Sequence, residues 1–262
     1  RKTDMKKLNL FYISIFCICL FLCPGCGLEE YYVVEAPFQR RTNPTVSDSG
    51  DAAAFDSAYF EFLTNDSGNS SGAEGDFKYM GTAVYYKIYN NYSTMNSHIS
   101  TISSISSSTN SSSAFPKLQS YGYQELGVYG KNVSPLILDV NGKDQNVFIR
   151  LTNYHEPADK NGSEWKDYAY RAKIVVNDVE KYVPMRQDNT KSFDFGRENS
   201  SGDYDKPKSG EDDVNYGTAS KENMYYITLY AVAVGHDNSF TNYYSNVLYL
   251  GSVAINASEE DN

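Results

Sequence analysis

The sequence predicts an all-β protein, a two-layer antiparallel β-sandwich with one short inserted amphipathic helix. Three observations carry this. Apolar and aromatic residues alternate with period two in several runs, most clearly in NMYYITLYAVAVG and GTAVYYKIYN, and a period of two is that of a strand. The chain holds 24 tyrosines, which with β-branched residues suit a half-buried pleated surface, while its many Ser, Asn, Gly and Asp residues suit turns. Asn141-Gly142 opens the NGKDQ segment between two strand candidates, and Asn177-Asp178 separates two more, both turn signals of the hairpin kind. Sheets of such strands must bury their apolar faces on a second layer, and the sandwich is the simplest way to do so.

Taken in order, the chain begins with a polar start and Lys6-Lys7, followed by an apolar run from Leu8 to Leu22. The run falls short of the ~20 residues of a spanning helix. Its polarity breaks at Pro24-Gly25, then Cys26, then Glu29-Glu30, and all four cysteines (Cys17, Cys19, Cys23 and Cys26) lie within it or at its end. A basic region, an apolar region and a small residue before a cysteine resemble the signal peptide and lipobox of bacterial lipoproteins, in the relaxed spelling of spirochaete lipoproteins. The resemblance implies cleavage before Cys26, a diacylglycerol on its thiol, no other cofactor, and a lipid anchor in the cell envelope. With Gly27 next, it implies an outer-membrane or surface address rather than the inner membrane. An ordinary secretory signal cut at small residues is the alternative. Arg1–Asp4 read as an upstream extension of residues 1–26.

Residues 27–55 read as a tether with a first edge strand near Tyr31–Val34, and residues 56–256 as the sandwich. Strands are expected over Ala58–Thr64, with Phe60 and Phe62 on one face, and over Gly81–Asn90, with Val84, Tyr86 and Ile88 opposed to Tyr85, Lys87 and Tyr89. Met95, Ile99 and Ile102 then recur at helical spacing behind Ser93, placing a helix over residues 93–105. It dissolves into the serine linker SSSTNSSSA. Further strands are expected at Leu136–Val140, Asn146–Thr152, Tyr170–Val176 and Val179–Pro184. Residues 187–223 are polar and acidic, with Phe193 and Phe195 as their apolar pair, and read as a mobile loop or partly ordered flap. A final strand pair precedes an acidic tail, 257–262. In that pair Tyr225, Ile227, Leu229 and Ala231, followed by Ser245, Val247 and Tyr249, resemble the last two strands of a fibronectin type III or immunoglobulin-like domain, which implies the same sandwich architecture with a large insertion.

Removing residues 1–26 takes away Arg1, Lys2, Lys6, Lys7 and Asp4, leaving 19 basic and 32 acidic residues, net −13. That charge repels phosphate backbones and argues against nucleic acid as a partner. His98, His155 and His236 are scattered, with no zinc spacing, and no nucleophile elbow or phosphate loop is present, so neither metal nor catalysis is expected. The densest polar constellation is the Thr152–Tyr168 loop, with His155, Glu156, Asp159, Glu164, Asp167 and the single tryptophan, Trp165. Carboxylates beside an aromatic can bind or cleave a glycan. A solvated loop whose Trp165 folds onto the core is the simpler alternative, and the favoured one. Asp203, Asp205, Glu211, Asp212 and Asp213 could offer hard oxygens to Ca²⁺, without EF-hand spacing. Outward-facing Tyr85, Tyr89, Tyr226 and Tyr230 would form a recognition surface or pack beneath another layer. The expectation is a non-catalytic envelope lipoprotein displaying a Tyr-rich sandwich to a protein or glycan partner. Alternatives are a glycan-binding or glycan-hydrolysing protein and an assembly subunit using a free strand edge.

Overall fold

Two long strands form the spine of the fold. The computed structural model describes residues 32–48, 57–71, 76–152, 171–186, 189–196 and 205–257, and Val33 onward forms one unit. The strands are β1 (Phe38–Gln39), β2 (Phe60–Leu63), β3 (Lys78–Tyr89), β4 (Gln124–Glu125), β5 (Gly127–Val128), β6 (Ile137–Leu138) and β7 (Asn146–Arg150). They continue as β8 (Lys173–Val176), β9 (Val179–Tyr182), β10 (Pro184–Met185), β11 (Val214–Asn215), β12 (Met224–His236), β13 (Asn242–Tyr244) and β14 (Leu248–Asn256). The helices are α1 (Asp66–Ser71), α2 (Tyr92–Ser106) and α3 (Ala114–Ser120).

The first sheet runs β1-β2-β7-β8-β9, antiparallel throughout. In the second, β3 and β12 pair along their length, from Tyr89↔Tyr226 to Lys78↔His236. β13 and β14 follow one another along the far edge of β12. β4, β6 and a parallel β11 line the outer edge of β3, and β5 and β10 form a separate two-stranded ribbon. Asn177-Asp178, left-handed at φ 50° and 63°, close the two-residue hairpin between β8 and β9; Asn141 and Gly142 are left-handed too, at 56° and 64°, but their turn leads from β6 of the second sheet to β7 of the first and closes no hairpin.

The sandwich core lies between the sheets. Phe60, Phe62, Val147, Ile149, Ile174 and Val176 from the first meet Val84, Tyr86, Ile88, Ile227, Leu229 and Val253 from the second. The alternation of β2, β3 and β12 therefore points inward as expected. Phe193 and Phe195 from the acidic segment enter the same core and are fully buried.

The other face of the second sheet is covered as well. Met95 and Ile102 of α2, with Phe115 and Leu118 of α3, pack onto Tyr89, Tyr226, Tyr230, Val232 and Ala254. β12 is consequently buried on both faces from Met224 to Gly235. Of the two alternatives for the outward tyrosines, packing prevails: Tyr89, Tyr226 and Tyr230 are at most 1 % exposed, and half-buried Tyr85 meets Phe115 edge-on at 5.2 Å. The Tyr89 hydroxyl enters a polar chain inside this layer, whereas those of Tyr226 and Tyr230 are buried without a hydrogen-bond partner. Tyr89 donates to Tyr123 Oη at 3.2 Å and lies 3.0 Å from His98 Nδ1, while Tyr123 pairs with Thr228 Oγ1 at 2.7 Å. Lys87, also buried, donates to the carbonyls of Gly122 and Asp212 at 3.0 and 2.8 Å. Burial pushes its pKa down, partly offset by Asp213 and Asp212.

Several local expectations change. Helix α2 starts at Tyr92, with its cap two residues earlier than expected, at Asn91 rather than Ser93: Asn91 Oδ1 accepts from the Thr94 amide at 2.8 Å. The serine linker is a short bridge with a 3₁₀ turn at Ser111–Ser113, after which Ala114 opens a second helix. Pro116 is tolerated there because first-turn amides have no helical acceptor. Residues 33–48, expected as tether, bind both sheets. Their edge strand is at Phe38–Gln39 rather than Tyr31–Val34, the Ser252 amide donates to Pro44 O at 2.8 Å, and Asn43 Nδ2 to Tyr249 O at 2.9 Å. Gly251 makes that approach possible: φ is +120°, and a Cβ there would lie 2.6 Å from Pro44.

If the helical layer completes the core, Ile102→Ala should lower stability by about 2–5 kcal/mol in urea denaturation. Exposed Ser100→Ala should change it by less than about 0.5 kcal/mol.

Candidate functional site

Six residues singled out in the sequence, Cys26, His155, Glu156, Glu164, Trp165 and Asp167, lie outside the described residues, as do Asp159 and Asp203. The described chain stops at buried Thr152 and resumes at Arg171, so the Trp165 connection joins β7 to β8. His98 is in the helical layer, stacked on Tyr121 at 3.7 Å, and His236 stacks on Phe240 at 5.2 Å. They do not assemble.

The acidic segment is organised around a cation. Arg186, 2 % exposed, donates from Nε and Nη2 to the two Asp213 carboxylate oxygens at 2.7 and 2.6 Å and from Nη2 to Glu211. Asp213 also accepts from Tyr86 Oη at 2.6 Å, tying the knot to β3. Lys191 Nζ holds the second Glu211 oxygen at 2.8 Å, Asp205 accepts from the Ser192 amide and hydroxyl, and Asp212 gives its carbonyl to Lys87. The carboxylates of Asp205, Glu211 and Asp213 considered for Ca²⁺ are thus turned onto guanidinium, ammonium, hydroxyl and amide groups. Among the described residues no group of three or more His, Cys, Asp or Glu is placed to hold a metal ion.

The outer face of the first sheet carries a different arrangement. Strand alternation that sends Phe60, Phe62, Val147 and Ile149 into the sandwich core sends Tyr59, Glu61, Phe148 and Arg150 to the opposite face, where Arg150 is nevertheless buried, with Lys173 opposite it on β8. Tyr59 and Phe148 stack with centroids 4.6 Å apart. The Arg41 guanidinium lies over Tyr59 at 3.8 Å, that of Arg150 is 5.6 and 5.7 Å from the two rings, and Lys173 Nζ is 5.9 Å from Phe148. Arg40 pairs with Glu61 at 3.7 Å and Arg171 with Glu180 at 2.5 Å.

This geometry has a chemical consequence. A guanidinium stacked on a ring is held by its face and keeps its N–H edge for an oxyanion, in one or two parallel bonds. Arg41 Nε donates to Thr42 O at 3.1 Å, while its Nη1 is buried with no hydrogen-bond partner. Three cations, Arg41, Arg150 and Lys173, therefore gather around one aromatic pair in a chain of net charge −10, Arg150 being buried among them. The sequence signal was there in part, since Arg150 and Phe148 fall on the outward side of NVFIRLT; Arg40 and Arg41 were hidden by their assignment to a tether.

No family model matches this chain, and no match was found among curated proteins or solved structures. Among the described residues no helix is long and apolar enough to cross a membrane.

Arg186→Met should cost about 3–5 kcal/mol, because it strands buried carboxylates. Glu211 gives the pH signature. Burial pushes its pKa up, but hydrogen bonds from Arg186, Lys191 and the Lys208 amide outweigh this and hold it below the ordinary 4.5. A folded pKa below the unfolded one means a contribution present above about pH 4.5 and lost as pH falls through the folded value. Glu211→Gln should therefore be less stable than the parent at pH 7, and the difference in urea midpoints should close below pH 4.5.

Proposed function

We propose that this chain is a lipid-anchored protein of the bacterial cell envelope with a non-catalytic binding or structural role. It is held by a diacylglycerol on Cys26 and binds through the outer face of the first sheet. The observation that carries the binding role is the cation–aromatic cluster of Arg41, Tyr59, Phe148, Arg150 and Lys173 on one face of an acidic protein. The anchor rests on the order of Lys6-Lys7, the apolar run, Gly25 and Cys26. Two or three acyl chains, at ~0.8 kcal/mol per buried methylene, exceed what stable membrane attachment needs.

A glycan reading is favoured by one observation: the ends of the Trp165 connection, Thr152 and Arg171, border this same face. Strand addition has less support, because β9, at the end of the first sheet, carries Glu180 and Lys181, and charges on an edge strand oppose pairing.

Intact mass of the purified native protein tests the anchor. It should begin at Cys26 and carry added acyl mass, and Cys26→Ser protein should leave the membrane fraction. An unacylated chain, or a Cys26→Ser protein that still partitions with membranes, contradicts the reading. For the glycan reading, Trp165→Ala and Glu164→Gln should each weaken sugar binding at least about tenfold, the equivalent of 1.4 kcal/mol. Unchanged binding in both removes it.

A further inference from the structure

We infer that one end of the sandwich, the end at which the chain enters it from Cys26, is seated in the headgroup layer of the membrane that holds the anchor, through exposed apolar side chains. The inference rests on the anchor proposed above and adds a second contact with the same bilayer.

Strand register supplies the first argument. Val33, Phe38, Leu138, Val140, Val179 and Phe240 are exposed and sit at this one end. Phe38 lies opposite Leu63, the last residue of β2, whose other partner Asn146 opens β7. Val179 leaves the β8–β9 turn, where Asn177 exchanges hydrogen bonds with that same Asn146. Leu138 is opposite Gly81 near the start of β3, and Val140 follows two residues later. Phe240 is at the tip of the β12–β13 hairpin, beyond the pair Lys78↔His236. The two sheets are joined here at α1, where buried Asp66 accepts from Tyr79 Oη of β3 at 3.0 Å and from Nε2 of Gln145, just before β7, at 2.9 Å. Among the described residues the other large apolar side chains that are exposed lie away from this end: Tyr129 and Val183 beyond the far end of β9, and Tyr216 beside Tyr89 at the far end of β3. A single exposed apolar residue is ordinary. Their collection at one end marks a contact surface.

Chain length supplies the second argument. Glu35 and Ala36 are pinned to α1 and its cap by Asn65 and Asn69, so the chain enters the sandwich at this end. Cys26 and Val33 are seven residues apart, a reach of at most about 25 Å when extended. An acyl group on Cys26 therefore keeps this end within that distance of the leaflet.

Phe240 supplies the third. It is 79 % exposed with φ at 61°, left-handed backbone that a bulky side chain rarely adopts. Asp237 fixes the loop: its Oδ1 accepts from the Ser239 amide and hydroxyl and the Thr241 amide at 2.9, 2.7 and 2.9 Å, and its Oδ2 from Tyr243 Oη at 3.1 Å. Strain of this kind persists where it positions a side chain for use, and an aromatic ring held out from the protein suits the headgroup level. Charge is not the source of the contact. The chain is net −10, and Asp139, Asp144, Asp178 and Asp237 share this end with Lys78 and Lys143, so the seating is apolar and forms on uncharged lipid.

The test uses the native acylated protein in phosphatidylcholine vesicles. A brief pulse of a water-soluble acetylating ester labels lysines, and mass spectrometry reads two exposed ones. Lys143 is three residues from Val140, and Lys208 follows Pro207, whose carbonyl accepts from Tyr225 Oη at the far end. The Lys143-to-Lys208 labelling ratio should be at least about threefold lower on vesicles than in Cys26→Ser protein free in solution, because a seated surface is shielded from water. It should rise back towards the free value in an acylated Val140→Ser, Phe240→Ser double variant, whose urea midpoint should match the parent because both positions are exposed. Equal ratios for parent and double variant on vesicles overturn the seating. Shielding of Lys143 in the free protein that deepens with concentration assigns this end to a second copy of the chain and overturns it too. Intact mass of the vesicle preparation reads the acyl group on Cys26 separately: acyl mass with equal ratios defeats the seating alone, and missing acyl mass defeats the anchor and the seating together.

Discussion

The constraint on which the structure depends is that β12 has no solvent side. An antiparallel sheet commonly keeps one face in the core and the other in water. In β12 every residue from Met224 to Gly235 is buried, with Ile227, Leu229 and Ala231 in the sandwich core and Tyr226, Tyr230 and Val232 under the helices. The helical layer is therefore half of the core of this sheet. Its polar groups must find partners away from water, which explains the run from His98 through Tyr89 and Tyr123 to Thr228, and why Lys87 reaches two backbone carbonyls. Tyrosine suits such a layer through its large apolar ring, and in Tyr89 and Tyr123 the hydroxyl is satisfied locally as well.

Much of the fold was legible in the sequence, for a physical reason. Side chains in a strand alternate, and a buried face leaves a period-two trace in GTAVYYKIYN and NMYYITLYAVAVG. The Asn-Gly and Asn-Asp turns were equally plain because left-handed backbone restricts the residues that can occupy it. What the trace could not convey is that the second face is buried too. Tyrosine and threonine are as much at home half-wet as packed, so Tyr226, Thr228 and Tyr230 alternate correctly under either outcome. The cover was obscured in turn: α2 is rich in serine, with few apolar anchors, and α3 is short and carries a proline in its first turn.

The polar sites were less legible because they are assembled across distance. Arg186 and Asp213 are 27 residues apart, and Tyr86 and Asp213 127 apart; no local pattern reports such pairs. An acidic stretch read alone looks solvated, yet Phe193 and Phe195 enter the core and Arg186 neutralises the carboxylates nearby. The outer face of the first sheet combines Arg40 and Arg41 from before β2, Tyr59 at its start, and Phe148, Arg150 and Lys173 from β7 and β8. Only the pairing β1-β2-β7-β8 brings them together.

The account stands or falls on which tyrosines water can reach, and nitration of the native protein with tetranitromethane, mapped by mass spectrometry, reads this directly. Tyr129 and Tyr216, 71 % and 50 % exposed, should be modified readily, while Tyr89, Tyr226 and Tyr230 stay unmodified until the protein unfolds. Nitration of those three at rates comparable to Tyr129 would mean that the second sheet keeps an open face, contrary to the architecture described.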